Sequence, residues 1–207
     1  WLNGIRHREG GPALITSDGE KRWYRYGVLH REDGPALMHR NYGNTEWYFE
    51  GELHRVGGPA RRLGDIDEYY RHGKLHREDD LPARVGRHTG LNEWFYEGVR
   101  HRDGDNPAVE KWHGYMKWYK NGELHRDGGQ PAIVDLDHAM KWYRYGKLHR
   151  EDGPAVEYVM TCKKEFWLDG VRCTRLDLPS IRAILQVTHL IPGNSEMRRR
   201  ILRFSLT

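Results

Sequence analysis

One phrase of nine residues recurs along most of this chain and constrains its fold more than any other feature. Its clearest copy reads WYRYGKLHR at 142–150 and continues into Glu-Asp-Gly-Pro-Ala at 151–155. In each complete copy a Gly follows the opening aromatic residue by four positions and a His follows the Gly by three, whereas successive repeat His residues lie 22 to 25 positions apart. A constant segment joined by segments of variable length is typical of a repeat array, in which each unit packs on its neighbours.

The copies define a set of structural repeat positions. The chain opens within one copy at 1–7, and a last copy at 166–173 has Cys173 in place of His. We therefore predict about seven repeats of roughly 24 residues. The complete copies supply, as aromatic residue, Gly and His, the triplets Trp23, Gly27, His30; Trp47, Gly51, His54; Tyr69, Gly73, His76; Trp94, Gly98, His101; Trp118, Gly122, His125; and Trp142, Gly146, His149.

Each repeat is predicted to form about two short antiparallel strands with one hairpin turn and one linking loop. A run at 35–39 begins at Pro, which suits the start of a strand, and an aromatic run at 46–49 is typical of a second strand. The dipeptide Asn121-Gly122 and its equivalents favour a tight turn. Alternation across such a hairpin places Tyr24 opposite Leu29, on one face, and Trp23 opposite His30 on the other.

The end of the chain has a different pattern. Ser180 follows Pro179 at a predicted helix start, and the apolar residues from Ile181 to Ile191 have helical spacing. A second predicted helix after Ser195 carries several arginines. We predict an all-β fold, an elongated single-layer antiparallel β-hairpin array over 1–175, closed by a short C-terminal helical cap at 176–207 that covers the last repeat.

The repeat resembles a known family. Gly-x-x-His-x-x-x-Gly after an aromatic strand, at this period, is similar to MORN-type β-hairpin repeats, most of all to the variant carrying LHREDGPA, which stands here at 29–36 and 148–155. The resemblance covers about Trp1 to Arg175. It implies a link to antitoxin or immunity partners of bacterial toxins, and to phage and other viral proteins. The Trp-Tyr-x-x-Gly order and the Pro after the second Gly depart from the standard motif and argue against the lipid binding sometimes attributed to it.

The loops between His and Pro differ in length. Four of them advance five residues from His to Pro, and three, at 76–82, 101–107 and 125–131, advance six. In a solenoid, insertions concentrate at one edge, which is often the binding edge, and neutral variation in a solvent loop would give the same pattern.

The thirteen histidines do not predict a metal site. Equivalent positions two strands apart are separated by roughly 9 to 10 Å, whereas zinc ligands lie about 2 Å from the ion. We expect each repeat His to pack on a Trp face with a hydrogen bond to Asp or a backbone carbonyl. The HRD tripeptides at 101–103 and 125–127 lack every other part of a kinase site, and no nucleophile stands beside a base. The sequence therefore predicts no cofactor and no enzyme activity.

The distribution of charge along the chain makes nucleic-acid binding a weaker hypothesis but does not exclude it. Of the net charge of +4, the segment from Asp177 onward carries +3 and the repeats only +1. Aromatic strands interleaved with Lys and Arg suit base stacking, but binding of a polyanion depends mainly on unbalanced positive charge. A nucleic-acid or anionic-surface binder acting through Arg198, Arg199 and Arg200 is therefore the alternative interpretation.

Protein binding is the leading functional hypothesis, because Trp, Tyr and Arg dominate interface hot spots. If the Trp series forms the core, the facing tyrosines are the better candidates for contact with a partner. The exposed first strand near Trp1 also offers an edge for self-association. The predicted partner-binding tyrosines are Tyr24, Tyr48, Tyr70, Tyr119 and Tyr143.

Compartment is predicted from the cysteines and the apolar runs. Cys162 and Cys173 form no CxxC motif or disulfide framework, and a bridge between them would require them to face each other across a hairpin. A reducing compartment such as the cytoplasm is expected, or, from the resemblance, a virus-infected cell. No apolar run approaches the roughly 18 residues of a membrane-spanning helix.

Overall fold

The computed structural model describes residues 2–40 and 43–174. These residues form two compact units, 2–102 with 108–112 and 103–107 with 113–174. Both units are built from short antiparallel strands in repeated hairpins, which confirms the predicted all-β fold class. Within the described residues, the one helical element is a 3-10 turn at Trp112–Gly114. The predicted helical cap at 176–207 and the edge residue Trp1 lie outside the described residues.

Each unit contains a main sheet whose strands follow one another across the sheet in the order of the chain. In the first unit these strands are Leu14–Ile15, Lys21–Arg22, Leu37–Met38, Thr45–Glu46, Arg61–Leu63, Ile66–Glu68, Arg84–Gly86, Asn92–Glu93 and Val109–Lys111. In the second unit they are Tyr115–Lys117, Ile133–Asp135, Ala139–Lys141, Val156–Tyr158, Lys164–Leu168 and Val171–Cys173.

Between the main-sheet strands, each repeat inserts a separate two-stranded hairpin, here called a side hairpin. In the turn of the second one, Glu50 has φ 50° and Gly51 has φ 85°. Two successive positive φ values characterise the type I′ turn, whose twist matches that of the paired strands. The side hairpins are Tyr24–Arg25 with Val28–Leu29, Tyr48–Phe49 with Glu52–Leu53, Tyr70–Arg71 with Lys74–Leu75, Phe95–Tyr96 with Val99–Arg100, Tyr119–Lys120 with Glu123–Leu124, and Tyr143–Arg144 with Lys147–Leu148.

The Trp of each repeat lies where the chain passes from the main sheet to the side hairpin, and we call these the corner residues. The N–H of Trp47 donates to the carbonyl of Ala60 (2.7 Å), and its own carbonyl accepts from the N–H of His54 (3.0 Å). The residue before it pairs in the main sheet and the residue after it pairs in the side hairpin. Because the N–H and the carbonyl of the corner residue bond to two different segments of the chain, the backbone bends at this residue. The corner residues are Trp23, Trp47, Tyr69, Trp94, Trp118 and Trp142.

This bend is where the structure differs from the expected strand at 46–49. Each repeat has four short strands in two hairpins rather than two strands in one, since the aromatic run is divided at its corner residue. The predicted pairing within the side hairpin is correct. Tyr24 lies opposite Leu29, and the N–H of His30 donates to the carbonyl of Trp23 (3.2 Å).

The core is narrow and combines the corner residues with small side chains. Three corner indoles are buried, and the others are half-buried. The Ala after each Pro from the second repeat onward is 0–1% exposed. Its carbonyl accepts the N–H of a corner residue, so a small side chain there allows the two backbone segments to approach. These alanines are Ala36, Ala60, Ala83, Ala108, Ala132 and Ala155.

An arginine from the following loop covers every corner residue. In the phrase it is the residue directly after His, and its guanidinium lies over the corner ring, which is the geometry of a cation–π contact. We call these side chains the stacking arginines. The distances from guanidinium carbon to ring centroid are 4.2 Å for Arg31 on Trp23, 3.9 Å for Arg55 on Trp47, 3.7 Å for Arg77 on Tyr69, 3.9 Å for Arg102 on Trp94, 3.8 Å for Arg126 on Trp118 and 4.0 Å for Arg150 on Trp142.

The three longer loops have a structural role that their length alone does not reveal. Each supplies a backbone carbonyl that accepts the indole N–H of the next corner residue. Asp80 and Asp105 also bind the stacking arginine of that same corner through their carboxylates, at 2.8 Å and 2.7 Å. The extra residue therefore satisfies a buried donor of the next repeat. The indole bonds are Trp94 to Asp80 (2.9 Å), Trp118 to Asp105 (3.2 Å) and Trp142 to Gly129 (2.8 Å).

Candidate interaction surface

The predicted tyrosines form a half-buried row on one face of the side hairpins, each opposite a leucine. The hydroxyl of Tyr48 donates to Glu46 (2.7 Å), and that of Tyr70 accepts from Arg61 (3.1 Å). Burial, as the larger cause, and the hydrogen bond to Glu46 together raise the pKa of Tyr48 well above its usual range. The hydroxyls of these two residues are therefore engaged within the protein. The pairs are Tyr24 with Leu29, Tyr48 with Leu53, Tyr70 with Leu75, Tyr119 with Leu124 and Tyr143 with Leu148.

Beside this row, alternating charges cross the main sheet of the first unit. Arg84 lies between Glu68 (2.7 Å) and Glu93 (2.9 Å). Arg61 also pairs with Glu68, and Arg100 reaches Glu93 at 2.7 Å. The two glutamate side chains are no more than 10% exposed. These pairs neutralise the charges within the sheet, so this face of the first unit offers little unbalanced positive charge to an anionic partner.

The second unit has a different composition at the equivalent sheet positions. Ile133 lies between Lys117 and Lys141 in the strand register, and at the positions of these lysines three repeats of the first unit have glutamate and one has Arg22. Tyr115 lies beside Lys117, whose amine is 5.2 Å from its ring centroid. Burial raises the pKa of Tyr143, against the opposing effect of Lys117. This face combines lysine and tyrosine side chains.

The opposite face of the side hairpins is more exposed. Because side chains alternate along a strand, the residues that flank each Tyr–Leu pair point to the other side. In the first unit Phe49 is 40% exposed, Tyr96 63%, Val28 44% and Val99 45%. We call these four residues and the charged residues at equivalent positions the outer face. Its members in the first unit are Arg25, Val28, Phe49, Glu52, Arg71, Lys74, Tyr96 and Val99.

The repeat histidines lie directly beneath the outer face. The His30 ring is 4.9 Å from the Phe49 ring, and the His76 ring is 5.1 Å from the Tyr96 ring. These rings therefore pack on an aromatic residue of the next side hairpin, whereas the stacking arginine lies over the Trp23 ring.

Six of the repeat histidines, counting His7, also connect two repeats through Nδ1. That atom accepts a backbone N–H from the turn of the next side hairpin, so a neutral ring carries its proton on Nε2. In three copies Nε2 bonds to the carboxylate two residues on: His30 to Glu32 (3.3 Å), His125 to Asp127 (2.8 Å) and His149 to Glu151 (3.2 Å). The donors to Nδ1 are Tyr26 for His7 (3.2 Å), Glu50 for His30 (3.0 Å), His72 for His54 (3.2 Å), Glu97 for His76 (3.2 Å), Tyr145 for His125 (3.3 Å) and Asp169 for His149 (3.1 Å).

The last of these connections predicts a pH-dependent contribution to stability. Burial alone would raise the pKa of the Asp169 carboxyl, but contacts with His149 and Arg144 outweigh it and hold that pKa well below its ordinary value. A carboxyl with a lowered pKa contributes its full stabilisation above the unfolded-state pKa of about 3.9 and loses it as the pH falls from there through the lower folded-state pKa. Asp169→Asn is expected to lower the free energy of unfolding by about 2 kcal/mol at pH 7.

Urea unfolding of wild type and Asp169→Asn at pH 7 and at pH 3 measures this contribution. The difference in the free energy of unfolding between the two proteins should narrow at pH 3, since the carboxyl of the unfolded wild-type chain then binds a proton while the folded carboxylate stays ionised. Asp33→Asn is the control, because the Asp33 side chain is 83% exposed and pairs with Arg31 in solvent. A difference that is equal at both pH values would contradict the assignment.

Residues that resemble catalytic or metal-binding motifs have structural partners. Arg126, in the second HRD tripeptide, covers Trp118, and His125 binds the Tyr145 N–H. The described part of the chain contains no group of three or more His, Cys, Asp or Glu that could hold a metal ion. Cys162 is exposed and Cys173 is buried, and the described residues show no disulfide between them.

None of the helical segments within 2–40 and 43–174 has the length and apolar character needed to cross a bilayer.

Comparison with known proteins identifies no relative. No protein-family model matches the chain, and no curated protein and no solved structure matches it at a significant level.

Proposed function

We propose that this chain is a non-catalytic module that binds another protein through the outer face of its first unit. The observation that carries the proposal is the exposure of Phe49, Tyr96, Val28 and Val99 on side hairpins whose type I′ turns hold the backbone in one conformation. Aromatic side chains on a rigid scaffold bury a large area at a small entropic cost, and they are frequent among interface hot spots.

The charges around these residues favour a protein over a polyanion. Arg25 pairs with Glu32 at 3.2 Å, and Lys74 pairs with Glu97 at 3.4 Å. Arg71 forms a similar pair with Glu78. A rim of both signs around an apolar centre suits a partner surface that has apolar side chains at its centre and charges of both signs around them.

The test is capture of partners from native lysate at low and high salt, with a variant that removes the aromatic contacts. Phe49→Ser with Tyr96→Ser should abolish a protein–protein interaction that wild type retains at high salt, because apolar contact is not screened by salt. Leu136→Ser with Met160→Ser is the matched control, since those side chains are 56% and 83% exposed and lie outside the outer face. Equal capture by both variants would contradict the proposal.

A second candidate function rests on Lys117 and Lys141, which stand beside tyrosines at sheet positions where three repeats of the first unit have glutamate. A basic aromatic face of this kind suits a nucleic acid or another anionic surface. The alternative partner contacts predicted at Arg198, Arg199 and Arg200 lie outside the described residues. Lys117→Gln with Lys141→Gln, and separately Ala at the three arginines, should remove nucleic acid bound at low salt if this function operates.

Antitoxin-like, immunity-like or viral roles, and a cytoplasmic location, are proposals that follow from the resemblance to MORN-type repeats and from the cysteines. In such a role the outer face would cover a target protein and block its active site. Self-association through the first strand is a further proposal, and analytical ultracentrifugation of the purified chain would detect it.

A further inference from the structure

A cavity of about 570 Å³ opens in the first unit, between the loops that follow His54 and His76. Its volume falls within the range of roughly 300–1,000 Å³ that is typical of small-molecule sites. Residues that line it include Arg55, Val56, Tyr69, His76, Arg77 and Leu81.

The repeated phrase is altered at this cavity in two ways. Val56-Gly57 stands where the neighbouring copy has Glu32-Asp33, so two carboxylates are missing from this loop. Tyr69 is the one corner residue of the six that is not Trp, and its ring is smaller than an indole. The first change removes negative charge from the wall of the cavity, and the second leaves space within it.

The missing carboxylates change the surroundings of the stacking arginines. Elsewhere these arginines bind a carboxylate, as Arg31 does with Asp33 at 2.8 Å and Arg126 with Asp105 at 2.7 Å. Arg55 and Arg77 form no ion pair with any carboxylate in the part of the chain that the structure describes. Each donates to a proline carbonyl at 3.2 Å and covers its corner ring. Both retain N–H groups for a further acceptor.

His76 adds a buried donor. The residue is 6% exposed, and its Nδ1 accepts the N–H of Glu97, so a neutral ring carries the remaining proton on Nε2. Glu78 lies 3.2 Å from that Nε2 but outside hydrogen-bonding geometry, and within the described residues this buried atom has no hydrogen-bond partner. In the copies at His30, His125 and His149 the same atom is satisfied. A buried donor without an aligned acceptor is rare in native proteins, so Nε2 of His76 is open to an acceptor from a ligand in the cavity that His76 lines.

Negative charge at the cavity is limited. Glu78 and Asp79 also line it, and Glu78 forms an ion pair with Arg71. His54 lacks the carboxylate that follows the other repeat histidines, and burial, with the nearby His72 and Arg71, lowers its pKa. Three arginines and three histidines therefore line the cavity against two carboxylates.

We propose that this cavity binds a small soluble molecule that carries a phosphate group. The phosphate oxygens accept hydrogen bonds from Arg55, Arg77 and Nε2 of His76. Guanidinium groups bind oxyanions through two parallel N–H groups, and three donor side chains match the three terminal oxygens of a phosphate monoester better than the two of a carboxylate. Val56 and Leu81 provide apolar contact for the organic part of the ligand. This site adjoins the proposed protein-binding outer face, because Arg71 of that face also lines the cavity and His76 packs on Tyr96.

Calorimetric titration with phenyl phosphate tests the proposal, with inorganic phosphate and phenol as companion probes. Phenyl phosphate is expected to bind with one site per chain and more tightly than inorganic phosphate, and phenol is expected not to bind. Titration with vesicles that contain a phosphorylated lipid separates a soluble ligand from a lipid headgroup. Binding of phenol as tightly as phenyl phosphate, or binding to the vesicles alone, would overturn the proposal.

The variant Val56→Glu restores the carboxylate that other repeats have at this position, and the Val56 side chain is 86% exposed, so packing is preserved. It should weaken phenyl phosphate binding at least ~10-fold, because it adds a like charge beside the ligand and offers an acceptor to His54. Met160→Glu, at a residue 83% exposed in the second unit, is the control for the same change of charge and should bind as wild type does.

Leu81→Trp provides a second variant that acts by volume rather than charge. The side chain lines the cavity and is 44% exposed, so a larger ring can occupy the space without displacing the core. It should also weaken phenyl phosphate binding at least ~10-fold while the thermal midpoint of unfolding stays near that of wild type. Unchanged affinity in both folded variants would exclude this cavity as the binding site.

Discussion

Trp94→Ala is expected to lower the free energy of unfolding by about 3–5 kcal/mol, the largest effect of any single change considered for this protein. Trp94 is 7% exposed, its indole N–H donates to the carbonyl of Asp80 at 2.9 Å, and Arg102 covers its ring at 3.9 Å. Removal of the indole leaves a cavity, exposes the stacking arginine and removes the bond that connects two repeats. Chemical denaturation followed by circular dichroism measures the change.

Two further variants separate the causes of this effect. Trp112→Ala removes the same side chain from a position in the same unit that is 58% exposed, and we expect a loss below about 1 kcal/mol. Trp94→Phe keeps most of the apolar area but loses the indole N–H, and it should cost about 1–2 kcal/mol. If Trp94→Ala and Trp112→Ala were equally destabilising, the corner residues would not form the core of the repeats.

Ala83→Leu is expected to destabilise the protein by about 1–3 kcal/mol through overpacking. Ala83 is 0% exposed, and its carbonyl accepts the N–H of the corner residue Tyr69 at 2.8 Å. Three additional carbon atoms at this point must displace the corner ring or lengthen that hydrogen bond. The cavity beside Tyr69 does not relieve this, since Ala83 is not among the residues that line it.

Ala13→Leu is the matched control, because Ala13 occupies the same position of the phrase but is only half-buried. The next two residues, Leu14 and Ile15, form the first strand of the sheet, which among the described residues pairs only with Lys21–Arg22. We expect a loss below about 1 kcal/mol, measured by the same denaturation experiment. A larger loss for Ala13→Leu than for Ala83→Leu would contradict the role assigned to the buried alanines.

One part of the proposed interaction surface could have been predicted from the sequence, at positions other than the predicted tyrosines. The position two residues before the turn Gly is charged in four of the complete repeats and aromatic in two, at Phe49 and Tyr96. Those two are the exposed rings of the outer face, whereas the predicted tyrosines one residue earlier are half-buried. Alternation identifies two faces of a hairpin but does not decide which one the rest of the chain covers.

The cavity also could not be predicted from the sequence alone. The replacements Val56-Gly57 and Tyr69 are visible in the sequence as departures from the repeated phrase, but they lie 12 or more positions apart. Only the packing of one loop against the next corner brings them to the same space and leaves Nε2 of His76 without an acceptor.

Four features could be predicted without the structure: the repeat register, the all-β class, the turns at each Gly and the pairing of Tyr24 with Leu29. They depend on turn chemistry and on side-chain alternation within about ten residues. The bend at each corner residue, and the carboxylate that binds its stacking arginine, became evident only in the folded structure. There the partners are distant along the chain: Trp47 donates to Ala60, and Arg102 binds Asp80, 22 residues earlier. A backbone N–H or a guanidinium can donate to any suitable acceptor within reach. The acceptor therefore depends on which segments the folded repeats place side by side.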